Sequence, residues 1–263
     1  MHPILNIGVK AARNSSKFIL RSVDRLYELK IDEKAHNDFV TKVDQETEHE
    51  IISTILHAHP DHSFLGEETG LTGNNPDNQW IIDPLDGTNN YIHGFPQFAI
   101  SIAFKHKGRI EQGVIYDPIR DELFTASRGE GAKLNKHRMR VSQCERLDKA
   151  LVGTGFPYKN PEMVAHYFQA LQTLYPKVSD IRRAGSAALD LAYVAAGRLD
   201  AHWEFGLKEW DIAAGVLLIR EAGGLISDFA GTDNYFKNGN IIASTPKIFK
   251  TILQTIQPYF IPS

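Results

Sequence analysis

Apolar positions over residues 4–29 recur at helical spacing (Leu5, Val9, Ala12, Phe18, Val23, Leu26), which predicts a long amphipathic helix, or one broken near Asn14-Ser15-Ser16. Residues 31–37 (IDEKAHN) are polar and predict a loop. A second helix is expected over 44–57, with Ile51, Ile52, Ile55 and Leu56 on one face and Pro60 beyond its end. The run Trp80-Ile81-Ile82 predicts a buried strand ending at Asp83. Strand-like stretches at 98–105, 109–116 and 122–127, separated by Lys107-Gly108 and Asp117-Pro118, predict an antiparallel meander. Beyond Pro157 the pattern changes to helices at 162–174, 187–196, 211–222 and 247–256 alternating with short strands, with Gly197 and Gly223 where helix-ending glycines belong. The change falls near Leu151 without a Pro/Gly/Ser linker. One compact unit over 1–263 is therefore expected, built of two closely packed subdomains, 1–150 and 151–263.

Composition narrows the setting. A chain of 263 residues buries a substantial core, and a formal net charge of −3 offers no global attraction to nucleic acid. The single cysteine, Cys144, excludes an intramolecular disulfide and is read as inert packing. Lys10, Arg13 and Lys17 interrupt the apolar positions of the first helix, so it lacks a signal-peptide core, and no run approaches the ~20 apolar residues of a membrane span. A reducing, cytoplasmic setting is the expectation.

The chemistry concentrates in carboxylates. In Trp80-Ile81-Ile82-Asp83-Pro84-Leu85-Asp86-Gly87-Thr88-Asn89 an apolar strand delivers Asp83, Pro84 forces an extended turn, and Asp86 returns three residues on, so two hard oxygen ligands can converge on a cation such as Mg2+. Gly87 and Thr88 stand where a helix could begin, and a bare glycine beside free N–H groups suits a phosphate. Asp-Pro and Asp-Gly are also ordinary turn signals. Glu67 and Glu68 follow an apolar approach and Gly66, although adjacent glutamates are commonly solvated. Asp211 opens a helix after Trp210, where a capping role is the plain alternative.

Taken together, DPLDGTNN at 83–90, GEET at 66–69 and WDIAAGVLLIREAGG at 210–224 resemble the signature regions of the inositol monophosphatase family. DFVTKVD at 38–44 and GSAALD at 185–190 extend the likeness over nearly the whole chain, and its bacterial SuhB type is the nearest in appearance. The resemblance implies a layered αβαβα sandwich of mixed α/β (α+β) type, usually dimeric. It implies lithium-sensitive, Mg2+-dependent hydrolysis of inositol monophosphate by a metal-activated water. Two or three Mg2+ ions are implied: one held by Glu67, Asp83 and the Leu85 carbonyl, a second by Asp83, Asp86 and Asp211, a third loosely by Glu67. Thr88 and Asp44 match the pair that orients and deprotonates the water, with Glu67 also catalytic. Gly87 and Thr88 would hold the phosphate, and Asp86, Gly185, Ser186, Ala187 and Glu204 the substrate hydroxyls, with Asp200 at a second polyol position. Asp44 also reads as an N-cap of the second helix, and Ser186 as the cap of an alanine-rich one.

Asn89 and Lys208-Glu209 depart from the family pattern at positions that could tune the mouth of the site. Lys34 reads as an ordinary solvated lysine or part of a metal-binding flap. None of the eleven histidines has the spacing of a zinc motif. Arg182-Arg183 is read as a surface or subunit-interface pair. Relatives of this type also imply association with Nus factors and RNA polymerase in ribosomal RNA antitermination, a role that needs a surface and not the carboxylates. Sugar or nucleotide phosphates are the other substrate classes; Glu204 argues for monophosphates, since a second phosphate calls for extra basic residues around the polyol pocket.

Overall fold

The structure is a computed structural model describing residues 2–23, 26, 31–35, 38–157 and 160–260, with the backbone alone at 31–35 and 38–41. The amphipathic start of the chain forms one helix, α1 (Pro3–Val23). It runs through Asn14-Ser15-Ser16 unbroken, because the Ser15 and Ser16 hydroxyls donate back to the carbonyls of Ala12 and Arg13 at 3.2 and 2.9 Å. Its expected continuation through 27–29 lies outside the described residues. Instead of a loop, a polar hairpin follows: β1 (Ile31–Ala35) and β2 (Asp38–Thr41), paired antiparallel with Ile31 opposite Thr41. A ladder of backbone hydrogen bonds needs no apolar period, so its composition concealed it. The Lys34 side chain, to which a flap role was tied, lies outside the described residues.

Next come α2 (Lys42–Ala58), β3 (Ser63–Gly66), β4 (Gly70–Thr72), β5 (Asn78–Asp86) and the short α3 (Thr88–Ile92). The meander is β6 (Ala99–His106), β7 (Arg109–Asp117) and β8 (Glu122–Ser127), extended by β9 (Gly131–Leu134) and β10 (His137–Arg138). The second half runs β11 (Leu151–Thr154), α4 (Val164–Leu174), β12 (Asp180–Arg182), α5 (Ala187–Ala195), β13 (Ala201–Glu204), α6 (Glu209–Ala222), β14 (Leu225–Ser227), α7 (Tyr235–Asn238), β15 (Ile241–Ser244) and α8 (Pro246–Ile256). Among the described residues, one sheet has the order β10-β9-β8-β7-β6-β5-β3-β4 and another β12-β11-β13-β15-β14.

Alternation along the strands sets the layers. On β5, Trp80 and Ile82 join a cluster with Leu5, Ile19, Ile51 and Ile55 of α1 and α2, while Ile81 between them joins one with α5 and α6. On β15, Ile241 and Ala243 face that same helical layer, and Ile242 faces α4 and α8 with Trp203, Tyr167 and Ile252. The order is α1/α2, large sheet, α5/α6, small sheet, α4/α8: the αβαβα sandwich. Because α6 lies between two sheets it is apolar almost all round, from Ile212 to Ile219. It sits so close to β7 that a Cβ on Gly113 would stand 3.1 Å from the Ala214 carbonyl. Among the described residues no helix is long and apolar enough to cross a membrane.

Candidate metal and phosphate site

The site forms where β5 ends against the start of α6. Side chains three apart on a regular strand point to opposite faces, so Asp83 and Asp86 should diverge. They do not, because β5 continues past Asp83 through a bulge: Asp83 lies opposite Ser101 and Asp86 opposite Ala99, three steps against two. The extra residue returns Asp86 to the face of Asp83, and Ile82 and Leu85, also three apart, share one apolar cluster. Pro84, which cannot donate to a ladder, sits inside this bulge and does not end the strand at Asp83. The Leu85 N–H donates to Asp83 Oδ1 at 3.0 Å, fixing the turn.

Asp211 arrives from α6. It stands third in the helix, and its Oδ2 accepts from the Lys208 N–H at 2.6 Å, one half of a capping box. The capping alternative is met, and the same carboxylate also reaches the neighbourhood of Asp83 and Asp86. Asp83, Asp86 and Asp211 each bring an oxygen within 4.8 Å of the others. Burial, and then the charges of Glu67, Asp86 and Asp211, push Asp83 well above the usual carboxylate range. Burial and then Asp86 and Glu67 do the same to Asp211. Asp86 is raised by burial to about 6, with hydrogen bonds from Ser186 and Ala188 holding it down. Three acids repelling one another, Asp83 buried and Asp86 and Asp211 half-buried, form a donor set that fits a hard divalent cation.

Glu67 lines the same cavity from the turn after β3. That turn is anchored by Glu48 on α2, a buried residue which the sequence did not single out: its carboxylate accepts from the N–H groups of Glu68 and Thr69 at 3.0 and 2.8 Å. A Cβ on Gly66 would stand 2.6 Å from that carboxylate, so a larger residue there would displace Glu48 from the turn it anchors.

Thr88 Oγ1 faces two acceptors at 3.0 Å, Asp44 Oδ1 and the Leu85 carbonyl. Asp44 is buried in the first turn of α2, which begins two residues earlier, so the expected N-cap role is not the one it has. Gly87 is left-handed at φ 96°, and a Cβ there would lie 2.8 Å from the Gln97 carbonyl, so only glycine makes this corner. From Gly87, α3 begins as expected, and the first N–H groups of a helix have no intrahelical acceptor.

The far wall is the loop before α5 with the end of β13. Gly185, Ala187 and Glu204 line the cavity. Ser186 is buried behind them: its hydroxyl donates to Asp86 Oδ2 and accepts from the Leu189 N–H at 3.3 Å, so its side chain caps α5 and steadies Asp86 and is turned away from the cavity. Asn90, unremarked in the sequence, ties this loop to the segment that leads into β6 by donating to the Gln97 and Ala184 carbonyls at 2.7 and 2.9 Å.

Asp200 is a correction. It lies at the other end of β13 from Glu204, where it accepts from the Ser142 hydroxyl and from the Leu151 N–H at 2.7 Å, and it does not border the cavity. Four strand residues span roughly 13 Å, too far for both acids to meet one polyol face. The arginine pair divides as well. Arg182 pairs with Asp180 on the surface, whereas Arg183 borders the cavity with its guanidinium 5.3 Å from the Phe156 ring. Lys208 and Asn89 border it too, so the pocket does carry basic groups and their scarcity is no argument against a second phosphate. Cys144 is half-buried, its Sγ donating to the Arg146 carbonyl at 3.2 Å, and burial pushes the thiol up.

Comparison with known proteins agrees with this arrangement. The model of the inositol monophosphatase family matches residues 1–259. A Nus factor SuhB of Pseudomonas aeruginosa is 51% identical over 268 residues, covering 100% of this chain and 99% of the relative. The crystal structure of extragenic suppressor protein suhB from Bartonella henselae superposes with a TM-score of 0.95 at 41% identity, over 98% of this chain and 99% of that one. An inositol monophosphatase from Anabaena (Nostoc) sp. PCC 7120 gives 0.85 at 36% identity, over 96% and 94%. A carboxylate site on this sandwich and a match along nearly the whole length lead to one conclusion: the chain belongs to the inositol monophosphatase family.

Proposed function

We propose that the protein is a Mg2+-dependent phosphomonoesterase that hydrolyses inositol monophosphate. The observation that carries this reading is the convergence of Asp83, Asp86 and Asp211 beside the Thr88–Asp44 hydrogen bond. Asp83, Asp86, Asp211 and Glu67, with the Leu85 carbonyl, would hold the cations. Bound Mg2+ would supply Lewis-acid polarisation of the phosphate and neutralise its charge. The N–H groups of Gly87 and Thr88 would bind phosphate oxygens at the left-handed corner. Thr88 Oγ1 would accept the proton of the attacking water as it passes its own to Asp44 Oδ1. Glu204, Gly185 and Ala187 would face the alcohol half, where a carboxylate oxygen accepts hydrogen bonds from substrate hydroxyls.

The test is phosphate release from inositol monophosphates, fructose bisphosphate, nucleoside monophosphates and adenosine bisphosphate, with Mg2+ and with EDTA. Fastest turnover of inositol monophosphate, abolished by EDTA, is expected. No turnover of any substrate by folded protein would sink the reading; preference for a bisphosphate would reassign Arg183 and Lys208 as a second phosphate site. Lithium inhibition and a cytoplasmic homodimer belong to the same proposal.

A second reading is favoured by the name "Nus factor SuhB" carried by the Pseudomonas relative at 51% identity. In that reading the protein also joins Nus factors and RNA polymerase through its surface. Binding to that machinery that survives Asp83→Asn would establish two separable functions; binding lost together with hydrolysis would oppose it.

A further inference from the structure

Behind Glu204 lies a buried histidine that the reaction outlined above leaves unused. His202 is 0% exposed on β13, and its Nε2 is 3.1 Å from Glu204 Oε2. On its other side Nδ1 stands 3.7 Å from Asp190 Oδ2 on α5. His202 Nδ1 and Asp190 Oδ1 are both fully buried without a hydrogen-bond partner, so the pair attracts by charge across a gap. The neighbouring strands add no other titratable group beside the ring: in register it faces Gly153 of β11 and Ala243 of β15.

The room for this arrangement is cut by two glycines. A Cβ on Gly153 would lie 2.8 Å from His202 Nδ1, and one on Gly155 would lie 1.8 Å from Glu204 Oε1. A glycine–x–glycine segment therefore lies against a histidine–x–glutamate segment on the adjacent parallel strand, each small residue clearing space for one large polar group.

We infer that His202, anchored by Asp190, is a positioning residue that donates from Nε2 to Glu204 Oε2 and holds the other carboxylate oxygen, Oε1, ready to accept a hydroxyl of a neutral polyol group. This rests on the phosphatase reading for its substrate and extends it to what selects the alcohol half. A glutamate free to rotate would spend conformational entropy on each binding event; one clamped by a neighbouring donor is preorganised. Burial works against a charged ring, but the Glu204 hydrogen bond and the charges of Asp190, Glu204 and Asp86 outweigh it, leaving the His202 pKa above 6.5. Asp190 is itself raised by burial to about 7, with His202 and Arg183 pulling it down and Glu204 and Asp86 pushing it up. The charge assistance from the ring is thus present below the ordinary histidine pKa and is lost as pH rises through the raised one, while Asp190 adds its own charge to the anchor only as pH rises toward about 7.

The experiment has two arms. In the first, KM and kcat are measured for myo-inositol 1-phosphate and for 4-nitrophenyl phosphate, an ester without hydroxyls. His202→Phe should raise KM for the polyol ester about tenfold, one charge-assisted hydrogen bond's worth, with kcat and the 4-nitrophenyl phosphate KM within twofold of the parent. His202→Gln, which can still donate to Glu204, should recover part of the loss. The polyol KM of the parent should rise on the alkaline side, and that of His202→Phe should not follow. Equal losses on both esters, or none on either, would overturn the inference. In the second arm, imidazole 15N shifts are followed by NMR against pH. His202 should titrate above 6.5 in the parent and lower in Glu204→Gln and Asp190→Asn. Titration at or below 6.5, or indifference to both substitutions, would overturn it. Absence of turnover with both esters in the parent would defeat the phosphatase reading alone, and the NMR arm would then decide for His202.

Discussion

Two acidic groups flank one cavity, and they are compensated differently. Asp83, Asp86 and Asp211 crowd together, answered among the described residues by backbone N–H groups and the Ser186 hydroxyl, and all three are raised. Asp190 and Glu204 instead flank His202, a ring the chain itself supplies, whose pKa is held above 6.5 by its hydrogen bond to Glu204 and by their charges despite burial. The difference separates two tasks. A group whose charge the protein leaves unanswered is built to take charge from outside; a group with an internal counter-ion is built to hold one carboxylate still for an uncharged partner.

The sharpest way to break this contrast is to remove a ligand from the unanswered group. Asp83→Asn should lower Mg2+-dependent turnover on the order of 10³-fold or more and abolish the Mg2+-induced rise in Tm. Thr88→Val should cost about 10²-fold in kcat as the proton path to Asp44 is lost, while the Mg2+-induced Tm shift stays, because no aspartate ligand is touched. On the other side of the cavity, Glu204→Gln should raise the polyol KM about tenfold with little change in kcat or in Mg2+ affinity. The smallest effect is expected from Glu48→Gln: it weakens the two bonds that fasten the Glu67 turn, lowering stability by about 1–3 kcal/mol and Mg2+ affinity modestly.

Acid titration sharpens the same comparison. A carboxyl raised in the folded state binds its proton more tightly there than in the unfolded chain, so metal-free stability falls as pH rises from the unfolded value, 3.8, through the folded one. For Asp86 that window closes at about 6, and for Asp190 at about 7. Asp83 and Asp211 extend the loss in the same direction. Mg2+ must displace those protons, so its gain in Tm should be larger at pH 8 than at pH 5.5. An equal gain at both would show that the cation is not held by these acids.

What could be read from the sequence follows the range of the interactions. Asp83, Asp86 and Gly87 lie within five residues and carry their own turn chemistry, so their convergence was legible even though the bulge that produces it was not. Long helical and meander periods were legible because burial imposes them. The polar β1–β2 hairpin was not, since backbone pairing leaves no hydrophobic period. Asp44 was ambiguous as cap or catalytic partner, because only the meeting of α2 with α3 puts it 3.0 Å from Thr88. Asp200 was placed by resemblance at a second polyol position, but β13 separates it from Glu204. His202 and Asp190 were invisible: twelve positions apart, they face each other only once α5 packs on β13, with Gly153 and Gly155 fitted from a third segment.

The account stands most directly on one titration: phosphate release from myo-inositol 1-phosphate against Mg2+ concentration, for the parent chain and Asp83→Asn. Saturable, EDTA-reversible activation of the parent with no activation of the variant is the result the site predicts. Parent activity indifferent to Mg2+, or a variant activated as well as the parent, would contradict it.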